Sequence, residues 1–172
     1  CFESSFLAKE GFIRRENFTA MYGMVGLAEC VNILMEKEGK HERFGHSAEA
    51  DRLGVEIMNQ IDAFNRARVN PYCEATGGHF LLHAQVGIDS DHGTSPGTRI
   101  PIGEEPDELI DHLKNISLFH KYFPSGTGDI FPVDVTVHRN PQYVLDIVRG
   151  AMRMNIRYLS FYASDSDTIR IT

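Results

Sequence analysis

The sequence has no tryptophan and only three cysteines, at positions 1, 30 and 73. Their number is odd, their spacings are wide and no CxxC pair occurs. Neither a disulfide framework nor a cysteine-rich zinc site is expected, and a reducing cytoplasmic interior is the simplest compartment. Long apolar runs are missing too. Gly, Glu or Asn breaks each one, so no segment can span a membrane. An excess of positive charge is absent: the net charge is −7, with acidic residues spread along the chain. That argues against a nucleic-acid partner, which needs a basic face. The opening "CFESSFLAKEGFIRRENF" lacks the basic region, apolar stretch and cleavage site of a signal peptide.

What remains is an ordinary globular composition, 42% hydrophobic and 24% charged over 172 residues, enough to bury a core. The last residues, "SDSDTIRIT", alternate Ile169 and Ile171 with Arg170 and Thr172, the pattern of a strand or extended loop still running. With no methionine before Cys1, the expectation is an internal piece of a longer protein. Residues 1–172 would then form a single partial domain.

The stretch "FTAMYGMVGLAECVNILMEKEG" predicts the strongest helix, with Thr19 as N-cap, Gly39 as C-cap and apolar residues on most faces. Gly23 and Gly26 inside it each cost ~1 kcal/mol relative to Ala. They point either to close approach of another backbone or to a helix that begins only after a glycine turn. Glu29 interrupts the apolar run. It either finds a partner or sits at the wet edge of the helix. Cys30 is expected in the core, and Cys73 has no evident role. A weaker helical pattern covers residues 2–13, broken near Gly11. A second clear helix is predicted over 47–68, capped by Ser47, and a third over about 107–122, striped by Leu109, Ile110, Leu113 and Ile116. Strand, helix and strand then follow in "FPVDVTVHR", "NPQYVLDIVRGAMRMN" and "IRYLSFYA". Asn140 is the cap and Pro141 the first helical residue. This reads as a parallel crossover unit. Parallel strands need cover on both faces, which favours a slice of a larger α/β structure.

Between the second and third helices lies a short apolar run, Phe80–Leu82, and then a long Gly-, Pro-, Asp- and His-rich loop that keeps Val86, Ile88, Ile100 and Ile102. Such loops are usually functional or disordered, and the apolar residues favour an ordered, functional one. His79, His83, Asp89, Asp91 and His92 cluster in sequence and could hold a metal or simply line a polar loop. No HExxH, nucleophile elbow or P-loop ending is present. No metal is therefore assigned.

Three segments carry a resemblance. "MYGMVGLAECVNIL" is similar to a Gly-rich segment on a core helix of glycyl radical enzymes. "GTSPGTRIPIGEEP" resembles their "TPDGR" loop, with Pro96, Gly97 and Arg99 in matching places and Thr98 inserted before the arginine. "DTIRIT" resembles the residues just before the radical glycine. The similarity runs over the whole chain and is closest to the YjjI-type branch of the pyruvate formate-lyase-like and anaerobic ribonucleotide reductase-like superfamily.

The resemblance implies the C-terminal portion of an α/β barrel, incomplete in this chain and inactive alone. The radical glycine would lie just after Thr172 and the thiyl cysteine upstream of Cys1. "CFE" also mimics a Cys-x-Glu of some dehydratase members. The radical would be installed by an activating enzyme that uses S-adenosylmethionine and an iron–sulfur cluster, with no cofactor bound directly to this chain. A small polar or carboxylate substrate is the implied partner, and a homodimer is compatible. His83, Gln85, Asp91, Thr94 and Arg99 are the residues expected to line the substrate cavity, with Asp89 and Glu29 behind them. Arg99 could grip a carboxylate or phosphate in a fork, and His83 or Asp91 could move protons. In the alternative reading Asp91 and Thr94 cap turns and Arg99 pairs with Glu104 or Glu105. An anaerobic ribonucleotide reductase-like protein and a non-catalytic anion-binding module are the rival functions. The former usually places a CxxC zinc site near its glycine, which this chain lacks.

Overall fold

The computed structural model describes residues 5–71, 73–84, 93–134, 137 and 139–164. Two pairs of parallel strands carry the architecture. Strand β1 (Met21–Met24) pairs with β2 (Leu81–Ala84), Met21 opposite Leu81. Strand β3 (Ile130–Asp134) pairs with β4 (Ser160–Ser164), Ile130 opposite Ser160. A single parallel bridge between Ala84 and Thr127 links the end of β2 to the approach to β3. Among the described residues five α-helices accompany them: the short α1 (Phe6–Lys9), α2 (Leu27–Lys37), α3 (Ala48–Arg66), α4 (Leu109–Ser117) and α5 (Pro141–Arg153). The result is a small mixed α/β arrangement. Among the described residues the strands do not close into a barrel. No helix among them is long and apolar enough to cross a membrane.

The expected crossover is present as β3, α5 and β4. Asn140 caps α5 by accepting a hydrogen bond from the Tyr143 N–H, and Pro141 occupies the first turn. Helix α3 also starts where its cap predicts, with Ser47 Oγ accepting from the Ala50 N–H at 3.1 Å. Helix α4 is shorter than expected. It ends at Ser117, and His120–Tyr122 form a separate 3-10 turn.

The predicted long helix from Thr19 is corrected. Its first half is strand β1, and α2 begins only at Leu27. Gly26 makes the switch, at a left-handed φ of 78° that side chains avoid. Thr19 caps nothing; its hydroxyl shares a hydrogen bond with that of Thr76 at 3.0 Å. Pairing with β2 satisfies the backbone that a helix would otherwise have satisfied internally. Helix α2 buries a single face, Leu27, Ala28, Val31 and Met35, whereas Ile33 is 51% exposed. Cys30 is exposed rather than in the core, and Cys73 is buried.

The main core packs that face of α2 against Ala50 and Met58 of α3, with Phe44, Phe119 and Phe123 filling the space between. Asn65, near the end of α3, donates to the Phe80 carbonyl at 2.7 Å and fixes the start of β2. A smaller core joins Leu113 and Ile116 of α4 to Phe131 of β3 and Ala151 of α5.

Candidate functional site

The two Gly-rich segments singled out in the sequence meet at the carboxyl ends of β1 and β2. The Gly97 N–H donates to the Met24 carbonyl at 2.8 Å, and the Gly26 N–H donates to the Ser95 carbonyl at 2.7 Å. Val25 and Pro96 form an antiparallel bridge between them. Gly97 is obligatory in this seat. Its φ is +58°, and a Cβ added there would lie 2.8 Å from the Ala84 Cβ and 3.1 Å from its Cα. Glu29, in the first turn of α2, completes the clamp by accepting the Ser95 N–H through Oε1 at 2.7 Å. A partner is thus found, and the wet-edge alternative is set aside. Oε2 of Glu29 is buried and accepts no hydrogen bond. Beside it runs a cleft of about 490 Å³ that also touches Asn32, Lys40, Arg43 and Gly93.

The far end of the loop turns inward. Thr98 is fully buried, and its hydroxyl meets that of Thr127 at 2.6 Å. Arg99 is only 2% exposed and lies close enough to Asp129 for its charge to act on that carboxyl. Asp129 is itself buried. Its Oδ2 is 3.0 Å from His112 Nε2, and its Oδ1 accepts the Ile130 N–H. Burial pushes the Asp129 pKa up, while the His112 hydrogen bond and the Arg99 charge pull it back. The His112 ring also lies 4.6 Å from that of Phe131. A buried polar group without partners is costly, so this cluster fixes the loop from inside. The proposed pairing of Arg99 with Glu104 or Glu105 has competitors: Glu104 contacts Arg43, and Glu105 accepts the Gly103 N–H at 2.7 Å.

Of the other residues read from the sequence, His83 lies in β2 opposite Gly23 and is half-buried. Thr94 is exposed, with its methyl 3.5 Å from where a Cβ on Gly26 would be. Gln85, Asp89 and Asp91 fall outside the described residues, as do Cys1 and the segment before Thr172. His79 Nδ1 lies 2.9 Å from the Arg68 carbonyl. Among the described residues no three His, Cys, Asp or Glu side chains gather as a metal site would require. Sequence reasoning missed His112, Asp129 and Thr127. A signal was there for His112, which falls on the same stripe of α4 as Leu109, Leu113 and Ile116. A histidine in an apolar stripe needs a buried partner.

The arrangement is that of a parallel α/β chain with a glycine-pinned loop seated at the carboxyl ends of its strands, the usual place for a ligand site in such sheets. The chain belongs to the YjjI-like glycyl radical enzyme family, whose model matches residues 1–172. It is 46% identical over 174 residues to an uncharacterized protein of Haemophilus influenzae, covering 99% of this chain and 34% of that protein. It is 43% identical over 171 residues to the uncharacterized protein YjjI of Escherichia coli, covering 99% of this chain and 33% of that protein. The chain thus spans about a third of the length of these relatives.

Proposed function

We propose that this chain is part of the catalytic barrel of an enzyme that performs anaerobic radical chemistry on a small polar or carboxylate substrate in the cytoplasm. The observation that carries this reading is the seating of the segment 93–99 on Gly26 and Met24, because it joins two of the three family-like segments in one place. The exposure of β1 supports a larger barrel: Met21 and Tyr22 are 57% and 39% exposed, and a parallel strand needs cover on both faces. In this reading the radical glycine lies just beyond Thr172, as the resemblance of "DTIRIT" implies, and the thiyl cysteine lies upstream of Cys1, as the family resemblance implies.

In this reading a separate activating enzyme, using S-adenosylmethionine and an iron–sulfur cluster, installs a glycyl radical that acts on substrate through the cysteine. The residues of this chain bind, orient and shield. Thr94, His83 and the unmatched Oε2 of Glu29 lie nearest the loop seat and would face the substrate. Gln85, Asp89 and Asp91, expected from the sequence to share this role, lie outside the described residues. Arg99 has a different part. Held inside near Asp129, it keeps the loop closed and the site dry, and water exclusion strengthens every polar contact there. The rest of the polypeptide is required, so this chain alone is inactive. The full-length sequence is the test. The reading requires a glycine within a few residues of Thr172 and a cysteine in an upstream loop. A frame lacking that glycine would end it, leaving the loop as a small-anion binding module.

A further inference from the structure

A second cleft, of about 550 Å³, opens between the start of α3 and the face of α4. Its wall carries Asp51, Asp107, Glu108 and Asp111, against Lys114 and His46. Lys114 is already bound to Asp111 at 2.6 Å. No cation among the described residues pairs with Asp107 or Glu108. The floor holds Asn115, only 2% exposed. Its amide Nδ2 donates to Asp51 Oδ1 at 2.8 Å, and the Gly45 N–H donates to the same oxygen at 2.7 Å. Asn115 Oδ1 is buried and accepts nothing.

Most of the hydrogen-bonding capacity left over at this floor and rim is acceptor, on Asn115 Oδ1 and the carboxylates of Asp107 and Glu108; the side-chain donors there include Lys114, already held by Asp111, and the Ser47 hydroxyl. A buried acceptor without a donor costs roughly 1–3 kcal/mol, so a donor is the missing complement. A metal ion does not fit, since among the described residues no three carboxylates or imidazoles come close enough together. An ammonium group does. It offers three N–H donors in free rotation and tolerates dispersed carboxylates.

We propose that this cleft binds a primary ammonium group, carried by a small diamine or by a lysine side chain of the remaining polypeptide. Burial raises the Asp51 pKa, offset in part by its two hydrogen bonds, and a bound cation would pull it further down.

The test is calorimetric titration of the full-length protein with 1,4-diaminobutane at low ionic strength. Asp51→Asn keeps the shape and an acceptor oxygen for the Gly45 N–H, and the double variant Asp107→Asn, Glu108→Gln alters only the rim. Saturable binding is expected, weakened about tenfold by Asp51→Asn, less by the rim variant, and screened by salt. If a lysine fills the cleft, the diamine does not bind. One lysine then becomes reactive to an acetylating reagent only in Asp51→Asn, as mass spectrometry would read. Absence of both results, or binding that none of the variants alters, overturns the proposal.

Discussion

Glu29, on the first turn of α2, accepts a hydrogen bond from the backbone N–H of Ser95, 66 residues further along the chain, at 2.7 Å. This contact ties the helix that follows the Gly-rich strand to the loop that carries Thr94 and Arg99. Because the acceptor is partly buried and charged, its loss should be felt. Glu29→Ala should lower stability by about 1–3 kcal/mol, while Glu29→Gln, which keeps an acceptor oxygen, should cost less than half as much. Urea denaturation of the two variants checks the ratio; equal losses would mean that the hydrogen bond matters less than the packing of the stem.

Gly97 supplies the second constraint. Its left-handed backbone and the 2.8 Å approach to Ala84 leave no room for a methyl group. Gly97→Ala should therefore destabilise by about 2 kcal/mol or more, combining an unfavourable backbone conformation with a clash against β2. Gly103 also has a positive φ, but nothing lies within 4 Å of its added Cβ. Gly103→Ala should cost about 1 kcal/mol, so the melting temperatures of the two variants separate steric from backbone effects.

Asp129 is the hinge of the buried polar cluster. Asp129→Ala would remove the buried partner of His112 Nε2 and a carboxyl on which the Arg99 charge acts. Leaving a buried polar group without its partner typically costs about 1–3 kcal/mol. The expected outcome is a protein that unfolds at markedly lower denaturant concentration. A loss under 1 kcal/mol would mean that Arg99 takes its compensation elsewhere.

His120 gives a pH signature. It is fully buried, and its Nδ1 accepts the Arg157 N–H at 3.2 Å. Burial, with the Arg157 charge adding to it, pushes its pKa down to about 4. Since the folded value lies below the unfolded one, the unfolded state takes up the proton first as pH falls. Stability is therefore full above about pH 6.5 and declines between there and pH 4, by up to about 3 kcal/mol from this group. Denaturation midpoints between pH 7.5 and 4.5 should show this slope, and His120→Gln should flatten it.

The legible parts of the sequence were those with local chemistry. Ser47 and Asn140 announced α3 and α5 through their caps, and "FPVDVTVHR" covers most of β3. The segment from Met21 to Met24 was not legible as a strand. Its apolar residues suit a buried helix equally well, and its pairing partner lies 60 residues away. Gly23 and Gly26 carried the hint, as a helix that begins only after a glycine turn, and the break falls at Gly26. The clamp between Glu29 and Ser95 was half legible, because an acid in an apolar run demands a partner without naming it. His112 and Asp129 were overlooked because neither belongs to a motif, and their juxtaposition arises from packing α4 on β3. Cys30 was placed in the core because α2 looked apolar on most faces. The structure buries a single face and leaves Ile33 and Cys30 outside.

The central claim is that this chain serves a radical seated on a glycine just beyond Thr172. Electron paramagnetic resonance tests it most directly, on the full-length protein activated without oxygen and on a variant with that glycine replaced by alanine. The account predicts a glycine-centred doublet in the unaltered protein and no such signal in the variant. A signal that survives the replacement, or none in an activated protein that has the glycine, would contradict it.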